Sequence, residues 1–88
     1  MLTPEEKEKV IKKYKVHKSD SGSPEVQIAL LSEEINRLLA HLKKHPKDLH
    51  SKRGLLKMVS KRRKLLKFLE KESAKRHKSI LKKVGLKK

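Results

Sequence analysis

A cluster of side chains able to do chemistry lies in the stretch HPKDLHSKRG, residues 45–54, with His41 one helical turn before it. His41, Asp48 and Ser51 are the residue types of a hydrolase triad, and the spacing of His41 and His45 permits metal ligation. A triad also needs an oxyanion hole and a substrate pocket, and this short polar stretch indicates neither. No acidic or cysteine ligand completes a metal set, so the sequence favours a protein without catalytic activity, metal or other cofactor.

Breakers and capping residues divide the chain into helices, and no stretch alternates as a strand would. Thr3 and Glu6 give a capping-box pattern, and Ser23 precedes a proline at a first helical position. Pro46 stops the second helix, and Asp48 is placed to cap the third. The sequence therefore predicts an all-α fold of four helices in one domain, 1–88, at about residues 4–15, 24–44, 49–72 and 74–84.

The apolar residues of the two long helices recur at steps of three and four, which predicts an antiparallel hairpin across the short connector. Arg62 falls where the third helix needs an apolar group, so we expect it to snorkel from the edge of the bundle. This interruption argues against a long dimeric coiled coil, and we expect a monomer. The seams are Ile28, Leu31, Ile35, Leu38 and Leu42 on the second helix and Leu55, Val59, Leu66 and Leu69 on the third, with Leu56 and Leu65 beside it.

The composition predicts a polyanionic partner. Lysine and arginine number 26 against 10 acidic residues, and a net charge of +16 destabilises a small domain by self-repulsion. The sequence contains no cysteine, which excludes disulfides and a cysteine-ligated zinc site. Its apolar runs are far shorter than the ~20 residues of a membrane span, and the start MLTPEEKEK lacks the apolar stretch of a secretion signal. We expect a cytoplasmic protein that does not interact with membranes.

The third helix carries most of the predicted binding charge. A solvated face is the ordinary interpretation of such lysines, but few acids lie between Lys52 and Lys67 to pair with them. Binding to phosphates explains the pattern better, and roughly 6 to 10 such contacts would lose ~10³ to 10⁵ in affinity between low and moderate salt. The lysines of this flank are Lys57, Lys61, Lys64, Lys67 and Lys71, with Arg53, Arg62 and Arg63 alongside.

Charge alone does not decide between DNA and RNA. Besides histidine, the aromatic residues are Tyr14 and Phe68, so the stacking surface of single-strand binders is absent. A basic hairpin can enter a DNA major groove or lie along the shallow minor groove of an RNA helix. A DNA-binding, nucleoid-type protein is therefore the main alternative. A membrane-active amphipathic peptide is disfavoured, because the apolar seams and caps indicate a folded bundle.

Long stretches of the chain resemble the bacterial S15 family of small-subunit ribosomal proteins. The likeness is carried by SGSPEVQIALL (21–31), HLKKH (41–45) and DLHSKRGLLKMVSKRRKLL (48–66), and continues through LTPEEK and LKKVGLKK. It implies a four-helix protein that binds small-subunit ribosomal RNA at a three-way junction and a nearby G·U/G·C step, early in assembly. It also implies contacts with neighbouring ribosomal proteins and large-subunit ribosomal RNA and, in some members, binding to their own messenger RNA.

The resemblance assigns a role to the turn between the long helices. In the family, a histidine ending the second helix and an aspartate and serine beginning the third read the minor groove at the G·U/G·C step, and here these are His41, Asp48 and Ser51. The chemistry is suitable, because a guanine amino group donates to a carboxylate or hydroxyl, and imidazole can bond a base or a 2′-hydroxyl. Alternatively, Asp48 and Ser51 only complete an N-cap and His41 packs beside the seam. Capping and recognition are compatible, and we favour both.

The family's junction contacts correspond to Ser21, Gly22 and Gln27. Gly22 would let the backbone approach phosphates, the alternative being a left-handed turn residue. Gly54, inside a helix at a cost of ~1 kcal/mol relative to alanine, indicates close approach by RNA or by another helix, and we favour helix packing. We also expect the segment 17–23 to be a hinge that leaves the first helix mobile without RNA.

The chain departs from the family pattern at two positions that bear on binding. Glu34 stands where an arginine that contacts the junction is usual, and a carboxylate facing phosphate would repel it, so Arg37 is the candidate replacement. Phe68 stands where tyrosine is usual and keeps a stacking face without the hydroxyl. The predicted RNA-binding residues are Ser21, Gly22, Gln27, His41, Asp48, Ser51, Arg53, Lys57, Lys61, Arg62, Arg63, Lys64 and Phe68.

Overall fold

Four helices follow the capping signals of the sequence and confirm the all-α architecture. The computed structural model describes residues 2–16 and 22–85, and no strand occurs within them. The predicted hinge and Ser21 fall mainly or wholly in residues 17–21, outside the described part. The helices are α1 (Pro4–Tyr14), α2 (Pro24–Lys44), α3 (Leu49–Glu72) and α4 (Ala74–Lys83).

Side-chain caps set where the helices begin. The Thr3 hydroxyl accepts from the backbone N–H of Glu6 at 3.2 Å, and the Glu6 carboxylate accepts from the backbone N–H of Thr3 at 2.9 Å. Ser23 Oγ accepts from the Val26 N–H at 3.3 Å. These bonds satisfy N–H groups that have no partner inside a helix, so the capping box and the serine cap predicted for α1 and α2 are confirmed.

The hydrophobic core lies at one end of the α2–α3 hairpin, where α1 and α4 cover it. Ile28, Leu69 and Ile80 form a buried cluster with contributions from α2, α3 and α4. Two polar contacts join helices around this cluster: the Tyr14 hydroxyl donates to the Lys83 carbonyl at 3.2 Å, and Arg76 donates to the Glu25 carboxylate. We call this region the closed end. Tyr14, Leu65, Leu66 and Val84 pack against the cluster.

The opposite end of the hairpin, around residues 41–51, is formed by α2 and α3, and we call it the turn end. Leu38 and Leu42, which continue the α2 seam, are half-buried there, whereas Ile28, Leu31 and Ile35 are buried. Leu56, which we expected beside the α3 seam, is 70% exposed because it lies off the α2-facing side of α3. Burial therefore decreases along the hairpin towards the turn.

Arg62 lies within the hairpin as an edge residue. It is half-buried, and its guanidinium donates to Ser32 Oγ at 3.2 Å, while Ser32 itself is buried. Partial burial lowers the pKa of Arg62. The bond to Ser32 supplies a polar partner where the seam has no apolar residue.

An ion pair ties α1 to the middle of α2. The Arg37 guanidinium donates to both carboxylate oxygens of Glu6, one of them at 3.2 Å. The bond from Arg37 and the capping bonds with Thr3 lower the pKa of Glu6 to about 2, and the same pair raises the pKa of Arg37. Glu6 thus serves both the α1 cap and the contact with α2.

No helix within residues 2–16 and 22–85 is long and apolar enough to cross a membrane.

Candidate nucleic-acid interface

The turn between α2 and α3 brings His41, Asp48 and Ser51 into one bonded group, which we call the recognition trio. His41 Nε2 lies 2.8 Å from Asp48 Oδ2. Ser51 donates twice, from its backbone N–H to Asp48 Oδ1 at 3.0 Å and from its hydroxyl to Asp48 Oδ2 at 2.7 Å. The expectation that these three residues share one surface, and that Asp48 caps α3, agrees with this geometry.

The backbone of the turn explains why residues seven positions apart meet. The His45 N–H bonds the His41 carbonyl at 2.9 Å and so closes α2, and the Asp48 N–H bonds the His45 carbonyl at 3.1 Å. Asp48 has extended backbone angles, φ −76° and ψ 90°, as an N-cap residue requires. The rings of His41 and His45 lie with their centroids 4.8 Å apart, tilted by 35°.

The order of bonds in the trio does not match that of a hydrolase. In a catalytic triad the histidine lies between the acid and the serine, so that it can take the serine proton. Here the carboxylate of Asp48 lies between His41 and Ser51 and accepts from both side chains. The Ser51 hydroxyl therefore donates to a carboxylate, and this arrangement supplies no activated nucleophile.

Asp48 is the electrostatic centre of the turn. The hydrogen bond from His41, followed by those from the backbone and side chain of Ser51, holds the pKa of the Asp48 carboxyl far below its usual range. If His41 Nε2 donates, the neutral imidazole presents Nδ1 as an acceptor. An ionised carboxylate, a hydroxyl and an imidazole nitrogen at one exposed turn are suited to the amino groups and 2′-hydroxyls of an RNA minor groove.

The second predicted contact region lies where the chain enters α2, about 20 Å along the helix axis from the trio. Gln27 Nε2 donates to the Gly22 carbonyl at 2.7 Å, so the structure brings these two residues together. This bond holds the amide nitrogen of Gln27 and directs its side chain towards the entry turn. Ser21, the third residue predicted here, lies outside the described residues.

For each of the glycines Gly22 and Gly54, the structure contradicts one interpretation drawn from the sequence. Gly22 has no positive φ, so the left-handed turn interpretation is wrong. A Cβ built on Gly54 would meet no heavy atom within 4 Å, so the helix packing that we favoured there is also wrong. No neighbouring helix requires the absence of a side chain at Gly54, which leaves space beside α3 open to a ligand.

That space is part of a concavity between α2 and α3, which we call the hairpin groove. It has a volume of about 400 Å³ and extends from the recognition trio along one side of the hairpin. Leu38 and Met58 supply apolar walls near Gly54, while polar side chains line the remainder. The full lining is Glu34, Arg37, Leu38, His41, His50, Ser51, Gly54 and Met58.

The predicted basic residues of α3 are mostly exposed. Arg62 differs from the others, because it is half-buried and bonds Ser32. Phe68 is 51% exposed, which leaves one part of its ring accessible and another packed. The exposed cations, which we call the basic flank, are Arg53, Lys57, Lys61, Arg63, Lys64, Lys67 and Lys71.

Sequence reasoning missed two ion pairs that fix the elements carrying these residues. Glu25, in the first turn of α2, is 8% exposed and accepts two bonds of 2.6 Å from Arg76 on α4. Arg37, considered as a phosphate contact, pairs with Glu6. The composition offered a partial signal, because 26 cations for 10 acids make a cationic partner available to a buried acid, although it does not identify which one.

Comparison with known proteins gives a consistent result over the whole chain. A family model described as "Ribosomal protein S15" matches residues 7–87. The chain is 56% identical over 88 residues to the small ribosomal subunit protein uS15 of Caldanaerobacter subterraneus subsp. tengcongensis, covering 100% of both chains. It is 55% identical over 87 residues to the uS15 proteins of Carboxydothermus hydrogenoformans and Dictyoglomus thermophilum, covering 99% of this chain and 98% of each relative.

Proposed function

This chain belongs to the ribosomal protein S15 family, and we propose that it recognises a folded junction of small-subunit ribosomal RNA through two polar turns. It is a structural, non-enzymatic constituent of the small ribosomal subunit in the cytoplasm. In this proposal the protein binds the RNA directly, at a three-way junction and at the minor groove of an adjacent G·U/G·C step. It binds as a monomer and early in the assembly of the subunit. Neighbouring ribosomal proteins, large-subunit ribosomal RNA and the chain's own messenger RNA complete the proposed partners.

The observation that carries this proposal is the recognition trio. His41, Asp48 and Ser51 are held together by bonds of 2.7 to 3.0 Å on an exposed turn that contributes little to the core. A cap alone needs one acceptor for an N–H group, and Asp48 Oδ1 already supplies it. Oδ2 additionally orders a histidine and a hydroxyl at the surface, which indicates a site prepared for polar recognition.

The other predicted residues supply affinity and a second anchor. The basic flank of α3 is exposed and faces few acids, so it can neutralise phosphates and release counterions. Gly22 and Gln27 lie at the start of α2, and Phe68 offers a partly exposed ring. The turn that enters α2 and the turn between α2 and α3 lie about 20 Å apart, so together they can select an RNA whose two contact sites have a matching separation.

Competition binding tests the proposal at near-physiological salt, with junction RNA, unrelated duplex RNA and duplex DNA as competitors. We expect His41→Ala to weaken binding to junction RNA about tenfold while changing binding to unrelated RNA little, because it removes a contact to base edges or sugars. We expect Lys61→Ala to weaken binding to both RNAs and to reduce the slope of log affinity against log salt by about 1.

Circular dichroism of each variant provides the folding control for these measurements. Equal losses of His41→Ala on junction and unrelated RNA, with the fold intact, would remove the trio from recognition. Equal competition by duplex DNA and junction RNA would instead favour the DNA-binding alternative.

A further inference from the structure

Glu34 lies in the hairpin groove at the far side from the recognition trio, and its carboxylate has no cation bonded to it. The usual partner of a glutamate on a helix is a cation three or four residues away, and here position 37 is arginine while position 38 is leucine, so Arg37 is the candidate. Arg37 instead donates to both oxygens of Glu6 on α1. Within residues 2–16 and 22–85, no side chain forms a hydrogen bond or ion pair with the Glu34 carboxylate.

Within residues 2–16 and 22–85, Glu6, Glu25, Glu34 and Asp48 are the acids that are at least half-buried, and all but Glu34 bond a side chain of opposite or donor character. Glu34 lines the same concavity as His41 and Ser51, so any RNA strand that reaches the trio and continues along the hairpin passes close to it. Gly54 lies between these two points and adds no side chain to the groove, which keeps the path open. The carboxylate therefore faces a ligand-accessible space with both oxygens available as acceptors.

Phosphate is not the group that such an acceptor binds, because two anions repel. The donors on a nucleic acid are the amino groups of bases and the sugar hydroxyls, and in the shallow minor groove of RNA the base donor is the exocyclic amino group of guanine. Asp48 presents the same chemistry at the other end of the groove. Residue 34 lies about 10 Å along α2 from His41, which bonds Asp48, and this length corresponds to a few base pairs of an RNA helix.

We propose that Glu34 is a specificity-determining residue that accepts a hydrogen bond from the amino group of a second guanine, on the minor-groove side of the RNA and a few base pairs from the step at the recognition trio. This inference rests on the proposed function and adds to it a second base-reading position. Under this proposal, the carboxylates of Glu34 and Asp48 accept hydrogen bonds from RNA at the two ends of the hairpin groove.

The proposal predicts that removing the Glu34 carboxylate weakens RNA binding, whereas electrostatics alone predicts stronger binding. Removing an acid from a protein that binds a polyanion strengthens binding if only charge matters. We expect Glu34→Ala to weaken binding to junction RNA about tenfold, since hydrogen bonds to charged groups have this magnitude. Glu33→Ala is the matched control, because it removes the same charge from an adjacent exposed residue outside the groove, and it should leave affinity unchanged or slightly higher.

Inosine substitution identifies the contact, because inosine lacks only the amino group of guanine. Junction RNAs with inosine at single guanines near the G·U/G·C step are titrated with the full-length wild type, Glu34→Ala and Glu33→Ala proteins. We expect one guanine, outside the step read by Asp48, at which inosine costs wild type and Glu33→Ala about tenfold in affinity and costs Glu34→Ala nothing.

Two results would overturn this assignment. One is Glu34→Ala binding junction RNA as tightly as wild type or more tightly, and the other is an equal inosine effect in all three proteins at every position. If wild type still prefers junction RNA to duplex DNA, such a result removes only the role of Glu34. If wild type shows no preference for junction RNA, the proposed function and this inference fail together.

Discussion

The closed end and the turn end of the hairpin use the same kinds of polar interaction for different purposes. At the closed end, the carboxylate of Glu25 is buried and bonds Arg76, and the pair joins α2 to α4 beside the core. At the turn end, the carboxylate of Asp48 is partly exposed and bonds two side chains of its own turn. The first arrangement holds helices together, and the second orders a surface. The contacts that stabilise the fold and the trio that we propose for recognition therefore lie at opposite ends of one hairpin.

The largest expected effect is on the core of the closed end. Leu69 is fully buried against Ile28 and Ile80, so Leu69→Ala should lower the free energy of unfolding by about 3 kcal/mol through lost burial and an unfilled cavity. Urea titration of the two proteins measures this. Leu56→Ala, on the same helix but 70% exposed, is the control and should change it by less than about 0.5 kcal/mol. Similar losses in both variants would contradict the division between the two ends.

A smaller effect is expected from the ion pair of the closed end. Arg76→Met removes both bonds to Glu25 and should lower the free energy of unfolding by about 2 kcal/mol, because hydrogen bonds between charged groups at a partly buried position have this magnitude. The preference for junction over unrelated RNA should not change. Arg63→Met, which removes an exposed cation, provides the control for stability. A selective loss of junction binding in Arg76→Met would show that the closed end contributes to recognition.

The smallest effect is expected at the turn end, and it depends on pH. The pKa of Asp48 is lowered by folding, so its ionised form stabilises the native state above the unfolded pKa of about 4, and this contribution is lost as pH falls through the lower folded value. Asp48→Asn keeps an acceptor for the cap but does not titrate. The difference in urea midpoint between the two proteins should be constant near neutral pH and shrink below about pH 4. A difference that is independent of pH would contradict this.

The helices could be predicted from local signals in the sequence, whereas the grouping of the recognition trio was implied by the resemblance to the S15 family. Proline and capping residues marked the boundaries, and Asp48 lies close in sequence to both of its partners. The pairing of Arg37 with Glu6 depends instead on how α1 packs against α2, which no local pattern fixes. Gly54 was misassigned to helix packing for the same reason, since only the three-dimensional structure shows open space beside it.

The bonded state of the trio in the free chain has a kinetic consequence. Asp48 orients His41 and Ser51 in the free chain, so the RNA binding that we propose at this turn would require no search among side-chain rotamers. Encounter is then governed by diffusion and by attraction between the net positive chain and phosphate, which raises the association rate at low ionic strength. For the proposed RNA complex, we therefore expect discrimination between correct and incorrect RNA to appear in the dissociation rate rather than in the association rate.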